Sequence, residues 1–508
     1  MPIVLALDAG TGGAKCVAID DTGTVRGLAS QRWEYQVVAN ADVPIVKEYA
    51  FDPDEFWSIV AGCARRALEN VDAAEVVGVV TTSQREGCVF IGEDGRELYA
   101  GPNLDSRGFM EGLEVLEKLG APRLYEITGH SAPFIFPLVR YLWFRKNDGR
   151  RVRKVLMLND WMVYRCCGAE VSEPSNATES MLFDFRERTW SSEILGLFDI
   201  DASILPVVAT PGEVVGTMSA NRARELGVPE ATPVHVGGAD TQCAMVGMGA
   251  VEAGDMAVTL GTTTPIQLVC GEPLLDPAEN LWAGCHVMAD RWVLEANAGS
   301  TGDAWEWFLG LLVGSGGDRY QRAETLMREV TLRGETVSFV GPRIFDLTKL
   351  RPEMPGAVFF PFPSFQLRPS PGQLLRSLLE SVAFAVRANV EQIEAVGGIA
   401  SSPLREGVGI ASSPLRVGGG LSRSRLLVHM IADVTGRDVE CARVADGTAL
   451  GCAALVFAAG GVYPDVRAAA RAMSQSDLVQ PDERDPSVPP PAYDRWRNLY
   501  DSLDQLSL

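Results

Sequence analysis

Two turns rich in glycine and threonine are the first features of this sequence that could take part in chemistry. Residues 8–13 (Asp-Ala-Gly-Thr-Gly-Gly, the first Gly/Thr turn) and 261–264 (Gly-Thr-Thr-Thr, the second Gly/Thr turn) each follow a short apolar run. Such turns expose backbone N–H groups and hydroxyls that suit phosphate oxygens. Lys15 could also contact phosphate, and Asp8 could hold a divalent cation. A plain β-turn is the alternative for the first turn; neither turn is a Walker A loop.

A carboxylate follows a third apolar run. Residues 237–242 (Gly-Gly-Ala-Asp-Thr-Gln) place Asp240 on a glycine-rich bend at a strand end. An aspartate in that position could accept a proton from a substrate hydroxyl. The alternative is that Asp240 caps the following helix.

A further glycine-rich segment lies near residue 420. Residues 417–420 (Val-Gly-Gly-Gly, the glycine loop) precede Ser422 and a helical pattern. Glycines there would let an adenine and a ribose lie flat against the backbone, although a simple loop is an equal alternative. Residues 446–451 (Asp-Gly-Thr-Ala-Leu-Gly) lead into a helix of small residues that would pack closely behind this loop.

Charged and amide side chains suitable for a polyol occur in two places. Residues 83–86 (Ser-Gln-Arg-Glu) directly follow an apolar run, and residues 103–107 are Asn-Leu-Asp-Ser-Arg. Arg and Glu at a strand end offer hydrogen-bond donors and acceptors together. The alternative is that Arg85 and Glu86 pair with each other at the surface.

The elements that must position these residues form an α/β pattern. The strand–turn–strand arrangement at the first Gly/Thr turn recurs at the second, with Gly10 and Gly261 lying 251 residues apart. This spacing predicts two similarly built halves, and helical patterns between short strands predict α/β layers. We expect domains at 1–247 and 248–480, followed by a Pro-rich linker and a terminal helix at 481–508.

The composition excludes several classes of protein. The chain has 508 residues, of which 46% are hydrophobic and 22% charged, so wholesale disorder is excluded. The net charge of −21 opposes generic binding to nucleic acid or to an anionic membrane. No export signal or spanning segment is recognisable. The ten cysteines and four histidines form no metal-binding motif, so we expect a reduced, cytoplasmic protein.

A tandem repeat interrupts the second half. Residues 398–405 (Gly-Ile-Ala-Ser-Ser-Pro-Leu-Arg) recur at 409–416. The repeat is too polar and too rich in proline for a helix, so it predicts a surface loop lengthened by slipped duplication rather than a functional element.

Taken in order, these motifs resemble the FGGY family of carbohydrate kinases over residues 3–470. Residues 137–143 and residues 373–384 are close to the two signature sequences of the family. Both matches are imperfect: Arg140 stands where Lys is usual, and Leu378 is larger than usual. The resemblance implies two actin-like ATPase (ribonuclease H-like) domains, with ATP, Mg²⁺ and a sugar meeting in the cleft between them. Two Gly/Thr turns on separate halves can grip one triphosphate only if the halves approach each other, so we expect a hinge near residues 247–254 and an open form without ligands.

The resemblance assigns a role to each candidate residue. Asp240 would be the catalytic base, and Asp8 and Asp240 would hold Mg²⁺ together with ATP phosphates. The nucleotide would meet the two turns, Gly302 and the glycine loop: Asp8, Gly10, Thr11, Gly12, Gly13, Lys15, Gly261, Thr262, Gly302, Gly419, Gly420 and Ser424. The substrate would meet Gln84, Arg85, Glu86, Asp105, Asp240 and Thr241.

Within the family the sequence is most similar to the autoinducer-2 kinase branch. Residues 83–87, 103–107, 159–161 and 174–177 carry this similarity. The resemblance therefore implies ATP-dependent phosphorylation of a small sugar, ketose or polyol, with autoinducer-2 (dihydroxypentanedione) as one candidate. Xylulokinase-like or glycerol kinase-like activity is the alternative. Non-catalytic alternatives are a ligand-binding regulator and a chaperone-like ATPase. A homodimer is possible.

Overall fold

A computed structural model gives the fold for most of the chain. It describes residues 1–39, 46–330, 333, 335–346, 356–360, 368–398, 413–444, 446–482, 488–489 and 491–505. Within those ranges, no helix combines the length and the apolar character needed to cross a membrane.

The first half of the chain alternates strands and helices. Its strands are β1 (Ile3–Gly10), β2 (Gly13–Asp20), β3 (Val25–Arg32), β4 (Gln36–Ala39), β5 (Lys47–Ala50), β6 (Val76–Ser83), β7 (Cys88–Gly92), β8 (Glu97–Gly101), β9 (Val152–Met157), β10 (Val171–Ser172), β11 (Phe183–Asp184), β12 (Thr189–Trp190), β13 (Val207–Val208), β14 (Val214–Thr217) and β15 (Pro233–Ala239). Its helices are α1 (Pro53–Ala67), α2 (Phe109–Leu119), α3 (Ala121–Thr128), α4 (Pro137–Asn147), α5 (Leu158–Cys167), α6 (Pro174–Thr178), α7 (Ser192–Leu197), α8 (Ala220–Leu226) and α9 (Asp240–Gly247).

The second half has fewer strands and longer helices. Its strands are β16 (Met256–Thr259), β17 (Pro265–Cys270), β18 (Trp282–Cys285), β19 (Trp292–Asn297), β20 (Val337–Ser338), β21 (Val358–Phe359), β22 (Leu415–Gly418), β23 (Val439–Ala442) and β24 (Ser476–Val479). Its helices are α10 (Thr301–Leu312), α11 (Arg319–Arg328), α12 (Pro371–Gly397), α13 (Arg425–Thr435), α14 (Gly447–Ala459), α15 (Val466–Met473) and α16 (Pro491–Asp504).

A six-stranded sheet with the order β14-β15-β6-β1-β2-β3 organises the first half. The β1 strand pairs with β2 as an antiparallel hairpin and with β6 in parallel, and β6 pairs in parallel with β15. Ala9, Ser83 and Ala239 therefore lie in one row across three parallel strands. The carboxyl ends of these strands bring Asp8, residues 84–86 and Asp240 to one edge of the sheet.

A seven-stranded sheet with the order β18-β19-β17-β16-β22-β23-β24 organises the second half. Its centre repeats the pattern of the first sheet, because β16 pairs antiparallel with β17 and parallel with β22. This similarity is the one that the spacing of the two Gly/Thr turns predicts. Thr259 and Gly418 are partners in the β16–β22 register, so the second Gly/Thr turn and the glycine loop leave the sheet at the same edge.

Helix α14 connects the two halves. It lies between β23 and β24 of the second sheet in sequence, but its buried side chains, such as Ala453 and Leu455, share an apolar cluster with Val4 and Val80 of the first sheet. Within α14, Gly451 lies so close to α9 that an added Cβ would sit 1.8 Å from the carbonyl oxygen of Cys243. The domain bounds at 247 and 480 stay a prediction.

The tandem repeat lies largely outside the described residues, which omit 399–412. The end of its second copy is described, however, and Leu415 and Arg416 begin strand β22 in the middle of the second sheet. Leu415 is fully buried. The prediction of a surface loop is therefore wrong for these two residues, because a parallel strand on each side requires a buried apolar residue there.

Candidate active site

Asp8 lies at the edge of the first sheet where the carboxyl ends of the parallel strands meet. Its side chain is buried, and Oδ1 has no hydrogen-bond partner among the described residues. Burial raises the pKa of Asp8 to about 8; the Lys15 ammonium opposes this shift, and the Asp240 and Asp446 carboxylates add to it. A buried carboxylate oxygen without a partner fits a hard divalent cation.

The first Gly/Thr turn is fixed by its neighbours. The Trp33 indole and the Tyr35 hydroxyl donate to the carbonyl oxygen of Thr11 over 3.1 and 2.7 Å, and the Asn103 amide donates to the Thr11 hydroxyl over 3.0 Å. Gly10 and Gly13 close the hairpin as register partners, with Gly12 at its tip. The turn is therefore held in shape before any ligand arrives.

Lys15 reaches across to the other half of the chain. Its Nζ lies 3.0 Å from Oδ2 of Asp446, whose Oδ1 accepts from the backbone N–H of Ala449 and so caps α14. Lys15 remains 41% exposed on its side chain, so its ammonium is accessible from solvent. The motif at residues 446–451 predicted a helix packed behind the glycine loop. The ion pair of Asp446 with Lys15 was not predicted.

The second Gly/Thr turn packs against the start of α10. The backbone N–H of Gly302 donates to the carbonyl oxygen of Thr262 over 3.0 Å. A Cβ on Gly302 would lie 2.2 Å from the carbonyl oxygen of Gly261, so only glycine allows this approach. The structure thus brings together Gly261, Thr262 and Gly302, as a shared nucleotide site requires.

The glycine loop touches the strand that precedes the second turn. Gly419 has a φ of 94°, and an added Cβ would lie 2.6 Å from the carbonyl oxygen of Leu260. Gly420 opens a short 3-10 turn, and an added Cβ there would meet no described atom within 4 Å. Ser424 caps α13 through its own hydroxyl, so its predicted contact with adenosine would have to share that oxygen.

Asp240 begins α9 at the same edge as Asp8. Its Oδ1 accepts from the backbone N–H of Thr241 over 2.7 Å, and its carbonyl oxygen accepts from the Thr448 hydroxyl of α14 over 3.2 Å. Burial raises the pKa of Asp240 to about 6; Arg85 and the Thr241 N–H oppose this shift. The N-cap position is occupied by Ala239, so the alternative that Asp240 caps the helix is wrong.

Arg85 is buried in a group of carboxylates. Its two terminal nitrogens donate to the two oxygens of Glu295 over 2.8 and 2.7 Å, and Nη1 also lies 3.5 Å from Glu179. Its side chain is 10% exposed and stacks over Trp282. The alternative of a surface pair between Arg85 and Glu86 is therefore wrong.

Glu86 has a constrained backbone beside this group. Its φ of 58° lies in the left-handed region, which a non-glycine residue adopts at a cost in free energy. Arg140 of α4 holds the Glu86 carbonyl oxygen in place. Burial raises the pKa of the Glu86 carboxyl to about 7; Arg85 opposes the shift, and Asp240 and Glu295 add to it.

Gln84 and Asp105 support the loops around the edge. Gln84 donates to the Tyr35 hydroxyl over 3.1 Å and accepts from the Asn103 backbone N–H over 3.3 Å, which links it to the first turn. Asp105 is fully buried and accepts from the backbone N–H of Tyr49, from Tyr99 and from Arg107. Both Asp105 oxygens are thus engaged, and its contact with substrate stays a prediction. The Thr241 hydroxyl donates to the Gln242 side chain over 2.6 Å.

Sequence reasoning missed four polar residues at this site. Glu295 of β19 and Gln267 of β17 come from the second sheet, and His130 and Glu179 follow α3 and α6. Glu179 lies two residues after the segment 174–177, which was the one signal that could have found it. Within the described ranges, no group of three or more His, Cys, Asp or Glu side chains has the arrangement of a metal site. A pair of carboxylates with ATP phosphates remains the arrangement that fits Mg²⁺.

Comparisons with known proteins agree with this architecture. The models for the N-terminal and C-terminal domains of the FGGY family of carbohydrate kinases match residues 3–247 and 256–460. The chain is similar to autoinducer-2 kinase of Escherichia coli (strain K12), with 28% identity covering 99% of this chain and 95% of that protein.

Two solved structures share the fold. Plasmodium falciparum glycerol kinase with ADP has a TM-score of 0.81 and 17% identity, covering 100% of this chain and 99% of that chain. Xylulose kinase from Lactobacillus acidophilus has a TM-score of 0.80 and 16% identity, covering 99% and 97%. The expected α/β fold with two actin-like domains is confirmed.

Proposed function

Because this chain belongs to the FGGY family of carbohydrate kinases, we propose that it phosphorylates a hydroxyl of a small, uncharged sugar, ketose or polyol. The chain is a carbohydrate kinase, and kinases of this family use ATP with Mg²⁺. The proposal concerns the chemical class of the acceptor and the residues that bind it.

The charge balance around Arg85 carries this proposal. Arg85 is surrounded by the carboxyl groups of Glu86, Glu179 and Glu295, with Asp240 nearby, and its own charge is used by the bidentate pair with Glu295. Carboxylate oxygens accept hydrogen bonds from hydroxyls and repel anions. A site with this balance favours a neutral polyhydroxy compound over a sugar acid or a sugar phosphate.

We assign the role of general base to Asp240. Its Oδ1 is held by the Thr241 N–H, and the start of α9 is held to α14 through Thr448. A carboxylate fixed in this way can accept the proton of a substrate hydroxyl as that oxygen attacks phosphorus. Glu86 and Arg85 would orient the remaining hydroxyls beside it.

The nucleotide side of the site would consist of the two Gly/Thr turns and the glycine loop. Backbone N–H groups of residues 11–13 and the Lys15 ammonium would bind phosphate oxygens. Asp8 and Asp240 would hold Mg²⁺, a role that fits the partnerless Oδ1 of Asp8. Bound Mg²⁺ supplies positive charge that offsets the charge developing on the transferred phosphoryl group.

Autoinducer-2 is the specific acceptor that we propose first. Its support is the similarity to proteins named autoinducer-2 kinase along nearly the whole chain, together with the preference of the carboxylate-rich site for a neutral, oxygen-rich acceptor. Xylulose and glycerol, which the names of two structural neighbours contain, are the alternatives.

An ADP-release assay over dihydroxypentanedione, D-xylulose, glycerol and D-gluconate tests the proposal. We expect the highest kcat/KM with one of the three neutral compounds and no turnover without Mg²⁺. The acidic D-gluconate serves as the charge control. If D-gluconate is the best acceptor, the electrostatic argument is wrong.

A further inference from the structure

Three buried polar side chains beside Arg85 have polar atoms that nothing in the described chain satisfies. They are His130, Glu179 and Gln267, and each is at most 2% exposed. Both ring nitrogens of His130, Oε2 of Glu179 and Oε1 of Gln267 have no hydrogen-bond partner in the described part of the chain. Buried polar groups without partners cost free energy, so their concentration at one place calls for a ligand or ordered water.

These three side chains form a connected set around one ion pair. His130 Nε2 lies 3.5 Å from Glu179 Oε2, and the other oxygen of Glu179 lies 3.5 Å from Arg85. Gln267 donates to Glu295 over 2.8 Å, and Glu295 holds Arg85. The partnerless atoms therefore surround the residue that the proposed function places at the substrate.

The His130 ring is held rigidly and in its neutral form. Its centroid lies 4.9 Å from that of Phe136 and 5.3 Å from that of Trp282, the ring over which Arg85 is stacked. Burial, together with the Arg85 charge, lowers the pKa of His130 to about 3, so its contact with Glu179 is not an ion pair. A neutral imidazole offers one N–H donor and one acceptor nitrogen in fixed directions.

We infer that His130 and Glu179 form a specificity-determining subsite that binds neighbouring oxygen atoms of the acceptor, at the end remote from the hydroxyl that is phosphorylated. The inference rests on the proposed function. Arg85 neighbours both ends of the proposed acceptor site, because its charge shifts the pKa of Asp240 as well as that of His130. The subsite offers an N–H donor for a carbonyl or hydroxyl oxygen, and an imidazole nitrogen and a carboxyl oxygen for hydroxyl groups.

The test compares variants of the subsite with a matched histidine elsewhere. His130→Phe removes both ring nitrogens, whereas His130→Asn and Glu179→Gln keep polar atoms. His286→Asn is the control, because His286 is equally buried and neutral but lies in the turn between β18 and β19, where its Nδ1 accepts from Met288. Thermal unfolding of every variant establishes whether it is folded.

Each variant is assayed with the best acceptor among dihydroxypentanedione, D-xylulose and glycerol, and with monodeoxy analogues of that acceptor. We expect His130→Phe to raise the KM for the acceptor about 10- to 100-fold, with the KM for ATP changed less than about twofold. His130→Asn should recover part of the loss. With the wild-type chain, one deoxy analogue should have a lower kcat/KM than the full acceptor. With His130→Phe, replacing the full acceptor by that analogue should lower kcat/KM little further, since the substitution has already removed the contact.

Additive losses for every analogue, or equal rises in both KM values, would overturn the inference while leaving the proposed function intact. If His130→Phe does not fold, the same comparison is made with His130→Asn and Glu179→Gln. A wild-type chain that phosphorylates none of the three acceptors would overturn the proposed function, and this inference with it.

Discussion

Gly13 at the end of the first Gly/Thr turn should tolerate no side chain. A Cβ built on Gly13 would lie 2.4 Å from the carbonyl oxygen of Gln31 and 2.9 Å from Cα of Arg32, both in the neighbouring strand β3. Real Cβ contacts are essentially never below 3.0 Å. Gly13→Ala must therefore push β3 away from β2 at the position where Gly13 and Arg32 are register partners.

The cost of this displacement can be set against a matched position in the same turn. Forcing an extra methyl group against packed neighbours costs about 1–3 kcal/mol. This lowers the midpoint of thermal unfolding by roughly 2–4 °C for each kcal/mol in a domain of about 150–250 residues, the size predicted for the first half. At Gly12 an added Cβ meets no described atom within 4 Å, and its φ is not in the left-handed region. Gly12→Ala should therefore change stability by less than about 1 kcal/mol.

Thermal unfolding with and without ATP and Mg²⁺ distinguishes packing from ligand binding. We expect Gly13→Ala to melt several degrees below the wild-type chain in both conditions. Gly12→Ala should melt like the wild type alone, and any weakening in ATP binding would then report on the phosphate contact proposed for this turn. A Gly13→Ala variant as stable as the wild type, or an equal loss in Gly12→Ala, would refute the steric argument.

Three further predictions follow from the site and from the helices behind it. Asp240→Asn should lower kcat about 10²- to 10⁴-fold without weakening the binding of ATP alone, measured by steady-state kinetics and by the thermal shift with ATP in the absence of Mg²⁺; near-normal kcat would contradict the role as base. Gly451→Ala should destabilise the chain in thermal unfolding, because the added Cβ would lie 1.8 Å from the carbonyl oxygen of Cys243, whereas Gly310→Ala in the open part of α10 should not; equal melting of the two would contradict this. Burial, with Arg188 and Arg291 adding, holds the pKa of His286 at about 3, below its ordinary 6.5. Below about pH 6.5, His286 therefore binds a proton in the unfolded chain but stays neutral in the folded chain. The free energy of unfolding falls as the pH falls through this range. The free energy of unfolding of His286→Asn should be lower than that of the wild-type chain, and this difference should shrink by about 2 kcal/mol between pH 7.5 and pH 5. A difference in melting temperature that stays constant over this range would contradict the buried neutral state.

The edge of the first sheet could be predicted from sequence because its signals are local. An apolar run followed by glycine or by polar residues predicts the end of a strand, and three such runs place Asp8, Arg85 and Asp240 at strand ends. Parallel pairing of β1 with β6, and of β6 with β15, then brings the three together. The end of α13 also has a local signal, because Gly436, with a φ of 64°, follows its last residue.

The partners of Arg85 could not be predicted in the same way. Glu295 lies 210 residues further along the chain, at a position of β19 that no motif marks. Its side chain faces Arg85 only because the second sheet packs against the first half, and the register of β19 on β17 sets which residue is presented. Side-chain pairing between two halves depends on their packing, which local periodicity does not contain.

The tandem repeat shows a signal that was present but not used. Both copies end in Pro-Leu-Arg, but the first is followed by Glu406-Gly-Val and the second by Val417-Gly-Gly. Strand β22 needs an apolar residue at its third position, which is fully buried, and a glycine at 419, where φ is 94°. The residues that follow the second copy therefore suit it to strand β22.

Helix α14 links the second half of the chain to the edge of the first sheet. Its N-cap residue Asp446 pairs with Lys15, and Thr448 two residues further holds the carbonyl oxygen of Asp240. Gly451 allows its backbone to touch α9 directly, and contacts between bare backbones cannot slide without separating the helices. Closure of the two halves should therefore keep α9 and α14 together and bend the chain after α9, within the hinge predicted at residues 247–254. The base would then keep its position relative to the first Gly/Thr turn while the second turn approaches.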